Sequence, residues 1–157
     1  MHPQDVLNKL HETSLVKLLP PEMRGPFVGQ LLDRAEHETY AAGAIVFRRG
    51  EAETDMGVIF LEGMVRITLA DGQQRYLEAP EIMGEVQLFT RNAQRTATVE
   101  CVIGGPVIEF GWHDLGAAIR ETFTPEQLKV LRSCIEHSAK TREQNMLDTL
   151  PPTRPPD

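Results

Sequence analysis

Cysteine is scarce in this chain. Cys101 and Cys134 stand far apart and outside any CxxC pattern, so no disulfide framework or thiolate zinc site is indicated and two free buried thiols are expected. His2, His11, His37, His113 and His137 are equally scattered, with no HxH or HExxH pair to aim two imidazoles at one ion, so no metal site is expected. No run approaches the roughly 18 apolar residues of a membrane span. The opening MHPQDVLNKL also lacks the basic and apolar regions of a signal peptide, and a cytoplasmic protein with no membrane partner is expected. Basic charge is in deficit: 16 Lys and Arg against 23 Asp and Glu give a net charge of −7, which argues against a surface built to hold DNA or RNA. No Ser/His/Asp set is present, nor a set of ligands for metal-assisted hydrolysis, so no enzyme activity and no cofactor are expected.

What remains is an ordinary globular composition, 41% apolar and 25% charged over 157 residues, which suits one domain with terminal extensions. Residues 1–38 read as short helices broken by proline. Val6, Leu7 and Leu10 repeat at helical spacing, Pro21 in LLPPEMRG stands where a helix begins, and Pro26 interrupts the helical pattern. From Phe27 the set Phe27, Leu31, Leu32 and Ala35 keeps one apolar face, which predicts a helix to about His37.

The texture then changes. Over 39–115 the runs AIVFRRGE, DMGVIFLEGMVRITLADG, QRYLEAPEIMGE and TATVECVIGGPVIEFGW are short, β-branched and punctuated by glycine. Gly43, Gly50, Gly63, Gly72 and Gly84, at intervals of 7, 13, 9 and 12, predict tight turns with positive φ. Seven or eight such strands, with helices before and after, predict an α+β protein: an antiparallel β-roll or jelly roll flanked by short N-terminal helices and a long C-terminal one.

Helical periodicity returns over 116–150. Thr124, Pro125 and Gln127 form a capping box with proline at the first helical position, and the helix is expected to run to Leu150, where Pro151 and Pro152 stop it. Leu128, Leu131, Ile135, Ala139, Arg142, Met146 and Leu150 repeat at steps of 3, 4, 4, 3, 4 and 4, a narrow stripe that needs cover. Either the β domain covers it or a second copy does, which makes helix 124–150 a candidate homodimer seam. Residues 151–157, PPTRPPD, read as a disordered tail.

The chemistry concentrates in GEVQLFTRNAQRTATV. A helical turn over Glu85 to Phe89 would offer free N–H groups to an anion, Arg95 supplies a permanently charged fork, and Thr96 adds a hydroxyl and an N–H. Glu85 would repel an adjacent phosphate and is better suited to accept hydrogen bonds from a neutral diol. The alternative is that Glu85 and Arg95 pair with each other across the loop.

In spacing, this segment resembles the phosphate-binding cassette of cyclic nucleotide-binding domains, the sensor modules of catabolite-activator-type regulators, kinase regulatory subunits and gated channels. Gly84, Glu85, Leu88, Phe89, Arg95, Thr96, Ala97 and Val99 match its motif, with the cassette spanning 82–99 and the likeness covering about 15–145. YAAGAIVFRRGE and MGVIFLEGMVRI resemble the family's opening strands. The resemblance implies a ligand-binding set of Gly84, Glu85, Val86, Leu88, Arg95, Thr96, Ala97 and Arg142. In it Glu85 accepts the ribose 2′-hydroxyl, Arg95 binds the cyclic phosphate, and the amides of Gly84 and Thr96 assist.

Two departures stand out: Pro80 and Glu81 replace a frequent Gly-Asp, and Met83 replaces an aromatic or branched residue. Thr96 allows cAMP or cGMP, with cAMP favoured on class. Ser138, Thr141 and Arg142 are candidates to cover the base, and Arg142 faces either the pocket or the edge of a dimer seam. With no DNA reader after the final helix, the expectation is a stand-alone cyclic nucleotide sensor signalling through an effector protein. The alternative is a domain of the same fold that no longer binds nucleotide and serves as a constitutive interaction or dimerisation module. A jelly-roll enzyme of the cupin kind would need clustered His and Glu ligands that the sequence lacks.

Overall fold

A computed structural model describes residues 1–51, 55–84 and 95–151. Three helices come first: α1 (Pro3–Glu12), α2 (Ser14–Leu18) and α3 (Pro21–Asp33). Eight strands come next among the described residues: β1 (Glu36–Tyr40), β2 (Ile45–Phe47), β3 (Met56–Phe60), β4 (Met64–Thr68), β5 (Gln74–Glu78), β6 (Glu81–Met83), β7 (Thr98–Ile103) and β8 (Gly105–Gly111). The chain closes with α4 (Trp112–Thr122) and α5 (Pro125–Asn145).

The strands form two four-stranded sheets, β1-β8-β3-β6 and β2-β7-β4-β5, with every pairing antiparallel. This is the α+β roll that the alternating runs predict. All five glycines singled out by spacing have φ between 83° and 104°. At Gly63 the requirement is double, because a Cβ would also lie 2.4 Å from the Ile103 carbonyl oxygen.

Two apolar clusters fill the molecule. One joins the helices to the first sheet through Leu10, Leu15, Phe27, Ile59, Ile108, Leu115, Leu131 and Ile135. The other lies between the sheets and contains Phe47, Val58, Val65, Ile67, Met83, Val99 and Val107. Burying a side chain of this size stabilises the fold by roughly 1.5–3 kcal/mol before the entropy of ordering is counted.

Three boundaries differ from the sequence reading. Pro26 lies inside α3 rather than breaking it, and the helix persists because Met23, Phe27, Val28 and Leu31 bury one face. That helix ends at Asp33, short of His37, because Glu36 to Tyr40 pair with β8 instead. The roll therefore runs from Glu36 to Gly111, against the expected 39–115.

Helix α5 starts as expected: Gln127 N donates to Thr124 Oγ1 at 3.2 Å and Thr124 N donates to Gln127 Oε1 at 3.0 Å. It ends at Asn145 rather than Leu150. Met146 is extended, and Leu147 exchanges two main-chain hydrogen bonds with Tyr76, 2.8 and 2.9 Å long, so edge-strand pairing replaces the last helical turn. Of the expected tail, only Pro151 lies within the described residues.

Candidate functional site

The stripe on α5 is covered by its own domain. Leu131 and Ile135 are buried against the helical cluster, while Ala139, Arg142 and Met146 face a cavity of about 330 Å³ beneath the helix's second half. The stripe is thus not a free seam for a second copy, and Leu150 stands exposed beyond the helix.

The cavity floor is the inner face of the second sheet. Phe47, Val99, Ile67 and Arg75 stand opposite one another across β2, β7, β4 and β5 and so point to the same side, a row that is apolar until it ends in a cation on the edge strand. Met83 and Gly84 close one end from β6, and Arg95, Thr96 and Ala97 enter just before β7. A cavity of this size is at the small end of sites for drug-sized ligands.

Arg95 is 6% exposed despite its charge. Its guanidinium lies over the Phe47 ring, 4.0 Å from the centroid, and Nη2 donates to the Met56 carbonyl at 3.2 Å. Its main chain is pinned from both sides, since Arg95 N donates to Glu51 O at 3.1 Å and Gly50 N donates to Arg95 O at 2.9 Å. A buried guanidinium held in this way is oriented in advance for an anion.

Gly84, φ 104°, lets the chain turn where a Cβ would lie 2.9 Å from Met56 O. Arg142 is also buried, and its Nη1 donates to the Ile82 carbonyl at 2.7 Å, tying α5 to β6 just before Gly84. It faces the domain interior rather than the rim of a dimer contact.

Of the expected ligand set, Gly84, Arg95, Thr96, Ala97 and Arg142 all line this one cavity. Glu85, Val86 and Leu88, with the helical turn to Phe89 and the Glu85–Arg95 pairing, lie outside the described residues. Ser138 does not reach the cavity: its Oγ donates to Ile135 O at 2.8 Å, inside the helix. Lys140 and Glu143 line the cavity instead of Thr141. Phe47, Ile67 and Arg75 were missed: strand alternation in AIVFRRGE and MVRIT carried the signal that Phe47 and Ile67 point inward, whereas nothing local marks the charged Arg75 as inward.

In the first of the two departures, Pro80 and Glu81, the acid has a structural use. The Ala79–Pro80 bond is cis, and the buried Glu81 carboxylate accepts hydrogen bonds from Ser14 N at 3.1 Å, Ser14 Oγ at 2.6 Å and Ile82 N at 3.2 Å. β6 is thereby strapped to α2 on one side and, through Arg142, to α5 on the other.

Cys101 is buried and Cys134 half-buried, both as free thiols, and burial raises both pKa values, with the Glu100 charge adding to the effect at Cys101. Among the described residues no group of three or more His, Cys, Asp or Glu could hold a metal ion, and no helix is long and apolar enough to cross a membrane.

A β-roll with a helix over a cavity lined by Arg95 and Arg142 is an architecture with a built pocket. The family model of the cyclic nucleotide-binding domain matches residues 37–122, and the chain belongs to that family. The fold is shared with the sensor domain of the transcriptional regulator DNR from Pseudomonas aeruginosa, at TM-score 0.63 and 19% identity over 87% of this chain and 91% of that one. It is shared also with the c-di-GMP-responsive global regulator CLP of Xanthomonas campestris, at TM-score 0.62 and 18% identity over 77% and 60% of the two chains. The catabolite activator protein of Thermus thermophilus gives TM-score 0.60 and 23% identity over 84% and 59%. No curated protein matches the sequence.

Proposed function

We propose that the cavity binds a cyclic nucleotide and that the chain is a regulatory sensor rather than an enzyme. The observation that carries this reading is the Arg95 guanidinium, buried, pre-oriented by Phe47 and Met56 O, and lining a cavity whose floor is apolar as far as Arg75 at its edge. A cyclic phosphate takes the guanidinium, Glu85 accepts the ribose 2′-hydroxyl, and the base lies against the apolar row beneath α5. Thr96 admits cAMP or cGMP, and cAMP is the first choice.

Signalling results if the ligand binds one position of α5 better than another, because equal affinity for both positions shifts nothing. The helix's outer face is then the surface read by an effector protein or by a second copy in a homodimer, and the reading places the protein in the cytoplasm.

Calorimetric titration of the purified chain tests this, with cAMP, cGMP and, because one protein of this fold is described as c-di-GMP-responsive, cyclic di-GMP. Saturable binding of one of them, lost in Arg95→Ala, is expected. Absence of binding by all three leaves the constitutive interaction module in its place.

A further inference from the structure

Cations outnumber anions among the described residues that line the cavity. Among its described lining residues Arg75, Arg95, Lys140 and Arg142 are cationic and Glu143 alone is anionic, in a chain whose net charge is −7. Arg95 and Arg142 lie deep and bond to main-chain carbonyls, whereas Arg75 ends the floor row on edge strand β5 and Lys140 is exposed on α5. These two cations mark the mouth.

An anion from the chain itself already pairs with one of them. Asp148 Oδ1 lies 3.0 Å from Arg75 Nη1, and Leu147 pairs through its main chain with Tyr76, the next residue along β5. Met146, one residue earlier, lines the cavity. Leu147 therefore makes an isolated bridge to β5, and the Asp148 carboxylate beside it stands where an anionic ligand group would meet Arg75.

We propose that the mouth is a second anion subsite, that Arg75 is its recognition residue, and that Asp148 is an internal competitor which a ligand with a second phosphate displaces, releasing residues 146–148 from β5. A one-phosphate nucleotide fits beneath this bridge and leaves Asp148 in place. A two-phosphate nucleotide sets its first phosphate on Arg95 and its second on Arg75. The holding contacts are two main-chain hydrogen bonds and an exposed ion pair, which together shift an equilibrium by roughly ten- to a hundredfold, within reach of one charge-assisted phosphate contact. The proposal rests on reading the cavity as a nucleotide site.

The test titrates the full chain, Asp148→Asn and Arg75→Gln with cGMP as the one-phosphate probe and cyclic di-GMP as the two-phosphate probe. Asp148→Asn is expected to tighten cyclic di-GMP roughly two- to fivefold. Arg75→Gln is expected to weaken it roughly tenfold. Both variants should leave cGMP within about twofold, a change below one weak contact. Amide exchange at Tyr76 and Leu147 should speed up on adding cyclic di-GMP and not on adding cGMP, a readout that a merely structural Arg75 would not move. Binding of cGMP alone, or equal responses of the two ligands to either variant, overturns the second subsite and leaves the cavity reading standing. If neither nucleotide, nor cAMP titrated beside them, binds even Asp148→Asn, the cavity reading itself falls and takes the subsite with it.

Discussion

The Arg95 guanidinium carbon stands 4.0 Å from the centre of the Phe47 ring, joining the end of the cassette to β2 across the cavity floor. Arg95→Lys keeps the charge but loses both the planar stack and the fork that reaches Met56 O. Titration should show ligand affinity falling by about tenfold or more, the worth of one charge-assisted contact. Phe47→Leu should give a smaller loss, about two- to fivefold, from the weakened stack alone. Equal affinity for Arg95→Lys and the parent would show that the guanidinium is not the anion contact.

Glu81 and Ser14 make a second joint, remote from the cavity in sequence yet one strand away from it. Glu81→Ala leaves Ser14 N and Oγ without their acceptor, so urea unfolding should show about 2–3 kcal/mol lost. Ser14→Ala should cost less, and the double variant should cost less than the two singles added, because both remove the same bonds. Strict additivity would mean that the α2–β6 strap contributes nothing as a unit.

The roll and the capping box of α5 were readable because both are written locally, in glycine spacing, strand alternation and the Thr-Pro-x-Gln start. The stripe on α5 was equally readable, but its partner was not. Sequence periodicity shows that Leu131 and Ile135 need cover, while only the packing shows that α2 and the sheets supply it. The end of the helix was missed for a related reason: Met146 to Asp148 leave it for an edge strand some 70 residues away, and such pairing leaves no local mark. Arg75 escaped notice because its place at the cavity depends on register across β4 and β5.

Gly84 is constrained by its backbone. With φ at 104° and a prospective Cβ 2.9 Å from Met56 O, Gly84→Ala should cost about 1–3 kcal/mol and misplace the start of the cassette. Thermal denaturation should report the destabilisation, and nucleotide titration at a temperature where the variant is folded should show weakened binding. A variant with parental stability would mean that the turn relaxes without strain.

Tyr40 gives the fold an alkaline limit. Its hydroxyl donates to Glu109 Oε1, and its ring packs edge-on against Phe60 with centroids 6.3 Å apart. Burial first, then the hydrogen bond to Glu109 and that carboxylate's charge, with smaller contributions from Cys101 and Glu38, raise the phenol well above its ordinary value of 10.0. The folded state therefore holds this proton more tightly than the unfolded chain does. Stability from Tyr40 is full below about pH 10 and declines as pH rises through the folded-state value. Urea unfolding measured from pH 8 to 11 should show a decline that is shallower in Tyr40→Phe, which has no phenol to ionise. Absorbance at 295 nm should show a late-titrating component in the parent that is missing from the variant. Parallel stability curves for the two proteins would show that Tyr40 ionises alike in the folded and unfolded states, and the raised value would then have no structural consequence.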